Sequence, residues 1–107
     1  MPRELIGTKD EIPDGGRKSV IVDETPALLI RLGDRFYCIE DVCSHDGQPL
    51  TDGPIEDRCI VCPRHGARFD LEDGRPLRMP ATEPIRVFPL EVDAEGRIFA
   101  VLGDEPS

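Results

Sequence analysis

The chain has 107 residues, 38% of them hydrophobic, and a formal net charge of −9. This length accommodates one domain, large enough to fold on a hydrophobic core without covalent staples. The negative balance argues against a nucleic-acid backbone or an anionic membrane surface, both of which ask for a basic footprint. It fits a soluble protein that meets basic patches on other proteins.

Ten Gly and eleven Pro are spread along the chain and punctuate short apolar segments. That is the pattern of an all-β domain with many turns. No apolar run, Ala27-Leu28-Leu29-Ile30 included, approaches the roughly 18 residues that a membrane helix needs. The start of the chain shows no apolar stretch and no small-residue cleavage site, so no secretory leader is expected. The expected compartment is the cytoplasm, where thiols stay reduced. Four Cys in such a chain read as metal ligands or buried thiols rather than a disulfide frame.

In chain order, residues 17–22 read as a strand rich in β-branched residues. Pro26 opens a second apolar run, 27–32, Gly33-Asp34 makes a turn, and 35–39 is its hairpin partner. From 40 to 57 the apolar periodicity fails and a long loop is predicted, a length that usually has a functional reason. Residues 58–62 are strand-like again, 63–66 form a tight loop, and 67–71 are a short strand ended by Asp73-Gly74. Residues 76–84 are expected to be irregular. Residues 85–88 and 90–92 alternate at period two, with Pro89 marking an edge or a bulge. Glu95-Gly96 is a turn, and 98–102 closes the sheet. No helix longer than a turn or two is expected.

The chain holds two histidines, and each follows a cysteine closely, in Cys43-Ser44-His45 and in Cys62-Pro63-Arg64-His65. Sixteen residues separate His45 from Cys62. Both pairs fall in the two predicted loops, flanking one strand. A lone buried Cys or His is ordinary core material, but four such residues in matching order are not. Thiolate suits iron–sulfur clusters and zinc, and imidazole suits zinc, copper and iron. Zinc knuckles usually separate paired ligands by two to four residues. Cys62 and His65 fit that spacing, whereas Cys43 and His45 have one residue between them. The shorter spacing is easier to satisfy if thiolate and imidazole go to different metal atoms.

With these motifs the chain resembles the Rieske-type [2Fe–2S] ferredoxins. The stretch Ile39-Glu40-Asp41-Val42-Cys43-Ser44-His45 resembles the family's first cluster loop, and the stretch from Cys59 to Asp70 its second. The resemblance covers about Arg17 to Val101, including a Pro-rich segment with Pro76, Pro80 and Pro84. It implies an all-β, Rieske ISP-like fold of three small antiparallel sheets with a loop-rich cluster-binding subdomain. The whole of 1–107 would be a single Rieske [2Fe–2S] domain, with 42–76 as the cluster-binding subdomain and 1–41 with 77–107 as the basal one. One [2Fe–2S] cluster is implied, Cys43 and Cys62 holding the inner iron and His45 and His65 the outer.

Two ferric ions, two sulfides and two thiolates with neutral imidazoles carry no net charge, so adding an electron costs less than at a four-thiolate cluster. Potentials in the family accordingly span about −150 to +300 mV. High-potential members carry an extra Cys in each loop, where this chain has Gln48 and, in the second loop, Arg64. They also carry Ser and Tyr donors to sulfur where this chain has Ala67 and Phe69. A low potential is therefore expected. Cys38 and Cys59 read as buried thiols, and the Cys59-Ile60-Val61-Cys62 run is not read as a redox pair.

From 36 to 57 there are six acids and no Lys or Arg, whereas 58–86 holds six Arg against four acids. A charge gradient between the two cluster loops would orient a docking protein. The resemblance implies a one-electron carrier between a flavoprotein reductase and a terminal oxygenase; a monomer is expected, with no nucleic-acid or membrane partner. An oxygenase with its own mononuclear iron is excluded, since both histidines are already used. The small subunit of an assimilatory nitrite reductase, a carrier linked to iron–sulfur assembly and a zinc-binding module are the lesser alternatives.

Overall fold

The computed structural model describes residues 2–42, 49–63, 66–78 and 83–102. They form ten strands: β1 (Arg3–Thr8), β2 (Arg17–Val22), β3 (Thr25–Leu32), β4 (Arg35–Glu40), β5 (Ile55–Glu56), β6 (Cys59–Val61), β7 (Arg68–Asp70), β8 (Pro76–Arg78), β9 (Leu90–Val92) and β10 (Arg97–Val101). Three antiparallel sheets result, ordered β1-β10-β9, β2-β3-β4 and β5-β6-β7-β8. A 3-10 turn, Lys9–Glu11, is the one helical piece among the described residues. The all-β expectation holds. The chain divides into two compact units, one of residues 1–38 with 88–107 and one of 39–87.

The first unit is built on β3. Ala27, Leu28, Leu29 and Ile30 are each at most 1% exposed, so this strand is covered on both faces. That explains its continuous apolar run in place of alternation. One cluster joins Ala27 and Leu29 to Ile6, Ile12, Val22, Cys38, Phe88, Ile98 and Ala100. On β10 the alternation is regular, with Ile98 and Ala100 buried and Arg97 exposed.

β1 escaped the sequence reading because its register breaks. Leu5 pairs with Phe99 and Gly7 with Ile98, leaving Ile6 as the extra residue of a bulge. Leu5 is consequently exposed while Ile6 is buried, and the period of two is lost over a run this short. Residues 85–88, expected as a strand, contribute only the bridge between Ile39 and Val87. Pro84 and Pro89 flank the run and supply no amide hydrogens. The amides at its two ends go to separate acceptors, Ile85 to the Gly74 carbonyl at 2.9 Å and Phe88 to the Cys38 carbonyl at 2.8 Å.

In the second unit β5 to β8 form a meander. Ile60 of β6 pairs with Ile55 and with Phe69, and both Ile60 and Phe69 are fully buried. The sequence reading placed β5 inside a loop and left β8 irregular. β5 is only two residues long, and the turn that follows it carries no Gly or Asn.

That turn, Asp57-Arg58, and its counterpart Asp23-Glu24 between β2 and β3, hold both central residues at positive φ, 52° and 64° in the first and 51° and 66° in the second. Two-residue hairpins favour this mirror-image turn because its twist matches the strands, and Asn-Gly is its preferred sequence. Here Asp and two longer side chains occupy left-handed backbone at a cost. The Asp23 amide donates to the Glu4 carboxylate at 2.8 Å, which helps hold the first turn. Replacing Glu24→Gly should stabilise the protein by about 0.5–1 kcal/mol, because relief of the left-handed strain exceeds the added freedom of the unfolded chain. Thermal melting would show this as an upward shift of several degrees.

Cys38 lies in the core cluster and is fully buried, as expected from the sequence. Burial pushes its thiol pKa up to about 12, because a thiolate there would be stripped of water. Since the thiolate is the reactive form, iodoacetamide at mildly alkaline pH should leave Cys38 unlabelled in the folded protein. Peptide mass mapping should find it labelled only after unfolding in guanidinium.

Candidate metal centre

Of the four ligand residues expected from the sequence, Cys62 is among the described residues, whereas Cys43, His45 and His65 lie outside them, as do Gln48 and Arg64. Among the described residues no three His, Cys, Asp or Glu side chains cluster at metal-binding range.

Cys62 directly follows β6, and its position is set by the backbone. Its amide donates to the Ala67 carbonyl at 2.7 Å, and its carbonyl accepts from the Gly66 amide at 3.0 Å. This closes a tight connection to β7 in which Gly66 takes φ +77°, a conformation that a side chain would strain. The thiol is 1% exposed and free of any disulfide. A free thiol, buried and fixed at the end of a paired strand, fits the donor that a sulfur-rich cluster needs on its protein side.

Ala67, whose carbonyl takes the Cys62 amide, and Phe69, two residues on, are fully buried. Neither side chain has a hydroxyl, so neither can donate a hydrogen bond to a sulfur. Cys59 is also buried, and its Sγ donates to the Asp57 carbonyl at 3.5 Å. Burial first, then the nearby Asp70 carboxylate, raises its thiol pKa. Cys59 and Cys62 are both free thiols.

Two residues that the sequence reading passed over prove to organise this region. Gly53, read there only as a loop breaker, donates its amide to the Leu50 carbonyl at 2.9 Å. A Cβ on Gly53 would stand 2.2 Å from the Val61 carbonyl oxygen. The chain leaving residues 43–48 is thus laid against the last residue of β6. Asp41, counted only as one of six acids, accepts from the Leu50 amide at 2.7 Å and from the Thr51 hydroxyl at 2.5 Å. A bare Asp four residues ahead of a Cys-x-His pair's histidine gives no composition signal for such a role.

The charge gradient is smaller than residue counts imply. Arg68 pairs with Glu56 at 2.7 Å and Arg58 with Glu72 at 3.6 Å. Arg75 lies 3.6 Å from Asp70 and 3.9 Å from Asp73. Among the described residues, Arg58, Arg68 and Arg75 are therefore matched by acids within the same unit.

Gly53→Ala should force β6 and the 50–54 segment apart, destabilising the protein by about 1–3 kcal/mol, as overpacking of a tight contact does. It should also reduce bound iron and acid-labile sulfide per chain, which a thermal melt and colorimetric assays together would report.

Comparison with known proteins bears on the same region. The family described as Rieske [2Fe-2S] domain matches residues 3–89. The 3-phenylpropionate/cinnamic acid dioxygenase ferredoxin subunit of Photorhabdus laumondii is 35% identical over 107 residues, with 98% of this chain and 99% of that protein covered. Among solved structures, the ferredoxin of carbazole 1,9a-dioxygenase from Nocardioides aromaticivorans IC177 superposes with a TM-score of 0.87 at 29% identity, covering 94% of this chain and 97% of that one. A chain from the complex of reduced oxygenase and oxidized ferredoxin in carbazole 1,9a-dioxygenase gives 0.83 at 32% identity, covering 92% and 91%. The buried thiol at the end of β6, its tight turn and these matches lead to one conclusion: the chain belongs to the Rieske [2Fe-2S] domain family and takes a Rieske-type [2Fe–2S] cluster.

Proposed function

We propose that this chain is the one-electron carrier of a multicomponent oxygenase, a ferredoxin that receives electrons singly from a flavoprotein reductase and passes them to a terminal oxygenase. The observation that carries this reading is the end-to-end match to a dioxygenase ferredoxin subunit at 35% identity. A solved relative found in complex with its oxygenase supports the partner class. The same match favours this reading over a nitrite reductase small subunit.

We assign Cys43 and Cys62 to the inner iron and His45 and His65 to the outer. The paired motifs and the burial of Cys62 support the assignment. When bound, the cluster supplies a one-electron couple that starts from a neutral oxidised state. The chain buries one thiolate in a fixed turn and keeps hydroxyl donors away at Ala67 and Phe69. It carries no catalytic residue of its own. Residues 42–76 serve as the cluster-binding subdomain and 1–41 with 77–107 as the base, a division supported by the compact 39–87 unit. Free Cys38, Cys59 and Cys62 suit the reducing cytoplasm. No helix among the described residues is long and apolar enough to cross a membrane. The net charge of −9 suits a monomer that docks on proteins rather than nucleic acid.

Anaerobically purified protein should be red-brown, with two irons and two acid-labile sulfides per chain. It should take up one electron with a midpoint toward the bottom of the family range, about −150 to +300 mV. A midpoint above about +100 mV would show that the missing hydroxyl donors do not set the potential. One zinc and no sulfide would overturn the reading entirely. Reduced protein should be reoxidised in step with product when mixed with an aromatic-ring terminal oxygenase, oxygen and substrate.

A further inference from the structure

Asp41 stands where the chain enters the 43–48 stretch, and Leu50 and Thr51 stand just beyond its exit. One carboxylate joins these points. One oxygen accepts from the Leu50 amide and the other from the Thr51 hydroxyl, across 9 and 10 residues of chain. Hydrogen bonds to an ionised acceptor are roughly twice as strong as neutral ones.

The exit is itself anchored. Leu50 is fully buried, its carbonyl accepts from Gly53, and Gly53 lies against Val61, the residue before Cys62. On the entry side, the Glu40 amide donates to the Arg86 carbonyl at 2.9 Å. Asp41 and residues 50–51, which flank 43–48, are therefore tied to each other, and residues 50–53 are referred to the strand that precedes Cys62. No disulfide is available for this task. Between 41 and 66 the cysteines are Cys43, Cys59 and Cys62, of which two are assigned as ligands and Cys59 is a free thiol.

We propose that Asp41 is a positioning residue: its carboxylate clasps the two ends of the segment bearing Cys43 and His45 and keeps them in register with Cys62. The proposal rests on the ligand assignment made above. Closing the segment in advance removes conformations that would otherwise compete with cluster binding, and groups supporting metal ligands commonly matter almost as much as the ligands.

The test uses the full-length holoprotein and the variants Asp41→Asn, Thr51→Val and Thr51→Ser. Asp41→Asn keeps the shape but presents an amide where two donors point. Thr51→Val removes the hydroxyl, and Thr51→Ser restores it. Iron release to a chelator should be about tenfold or more faster in Asp41→Asn, and faster in Thr51→Val, than in the parent. The EPR signal of the reduced cluster should broaden or shift in both, and Thr51→Ser should return to parental behaviour. If Asp41→Asn does not fold, the Thr51 pair carries the same test.

Unchanged release rates and EPR signals in the variants, even with a lowered melting temperature, would overturn the clasp and leave only a structural hydrogen bond. Failure of Thr51→Ser to rescue would also count against it. A parent protein lacking iron and sulfide would overturn the ligand assignment, and the proposal with it.

Discussion

Val61 is where the constraints on the second unit meet. Its amide is bound to the Pro54 carbonyl at 2.9 Å, its carbonyl oxygen leaves no room for a Cβ on Gly53, and it pairs with Arg68 across β6 and β7. The neighbouring Ile60 is buried between Ile55 and Phe69. A one-residue slip of β6 would turn Ile60 away from that packing. It would also drive the strand into Gly53. The next residue is Cys62, so the thiol inherits its place from a strand that cannot shift. Among the described residues its hydrogen bonds are the backbone bonds that close the turn.

The surface of this unit is organised by pairing. Glu56 with Arg68, Arg58 with Glu72, and Arg75 with Asp70 and Asp73 link strands and turns. Asp70, the one buried acid among the described residues, also accepts from the Glu72 amide at 2.7 Å and lies 3.6 Å from the exposed Arg75. Exposed pairs of this kind add little stability each. Their effect is on the field: charges that alternate in sequence blocks are interleaved in space, and the excess of acid over base remains as a diffuse negative potential. Such a potential speeds encounter with a basic partner surface, and short-range contacts then select the docked orientation.

The fold class was legible because its signals are local. β2 was bounded by its β-branched run, β9 by its alternation, and the β3–β4 hairpin by Gly33-Asp34. β1 was hidden by its bulge, and β5 by its length and by a turn built from Asp57 and Arg58 rather than Asn and Gly. Residues 85–88 have the period of a strand but flanking prolines and divergent amide acceptors. At the site, Cys62 stood out as a candidate ligand because thiolate chemistry is written in the residue type. Asp41 and Gly53 did not. The role of Asp41 depends on which residue comes back to meet it nine positions later, and that of Gly53 on a carbonyl eight positions away. Neither relation has a sequence period. The lack of hydroxyl groups at Ala67 and Phe69 was legible directly, since it depends on residue type alone.

The second unit is one continuous segment, 39–87. Where it begins and ends, the chain runs beside itself: Ile39 bridges Val87, Glu40 binds Arg86, and Phe88 binds Cys38. Entry and exit are thus antiparallel neighbours, closed like the stem of a hairpin. A segment with such a stem can gain or lose length without a change in host connectivity.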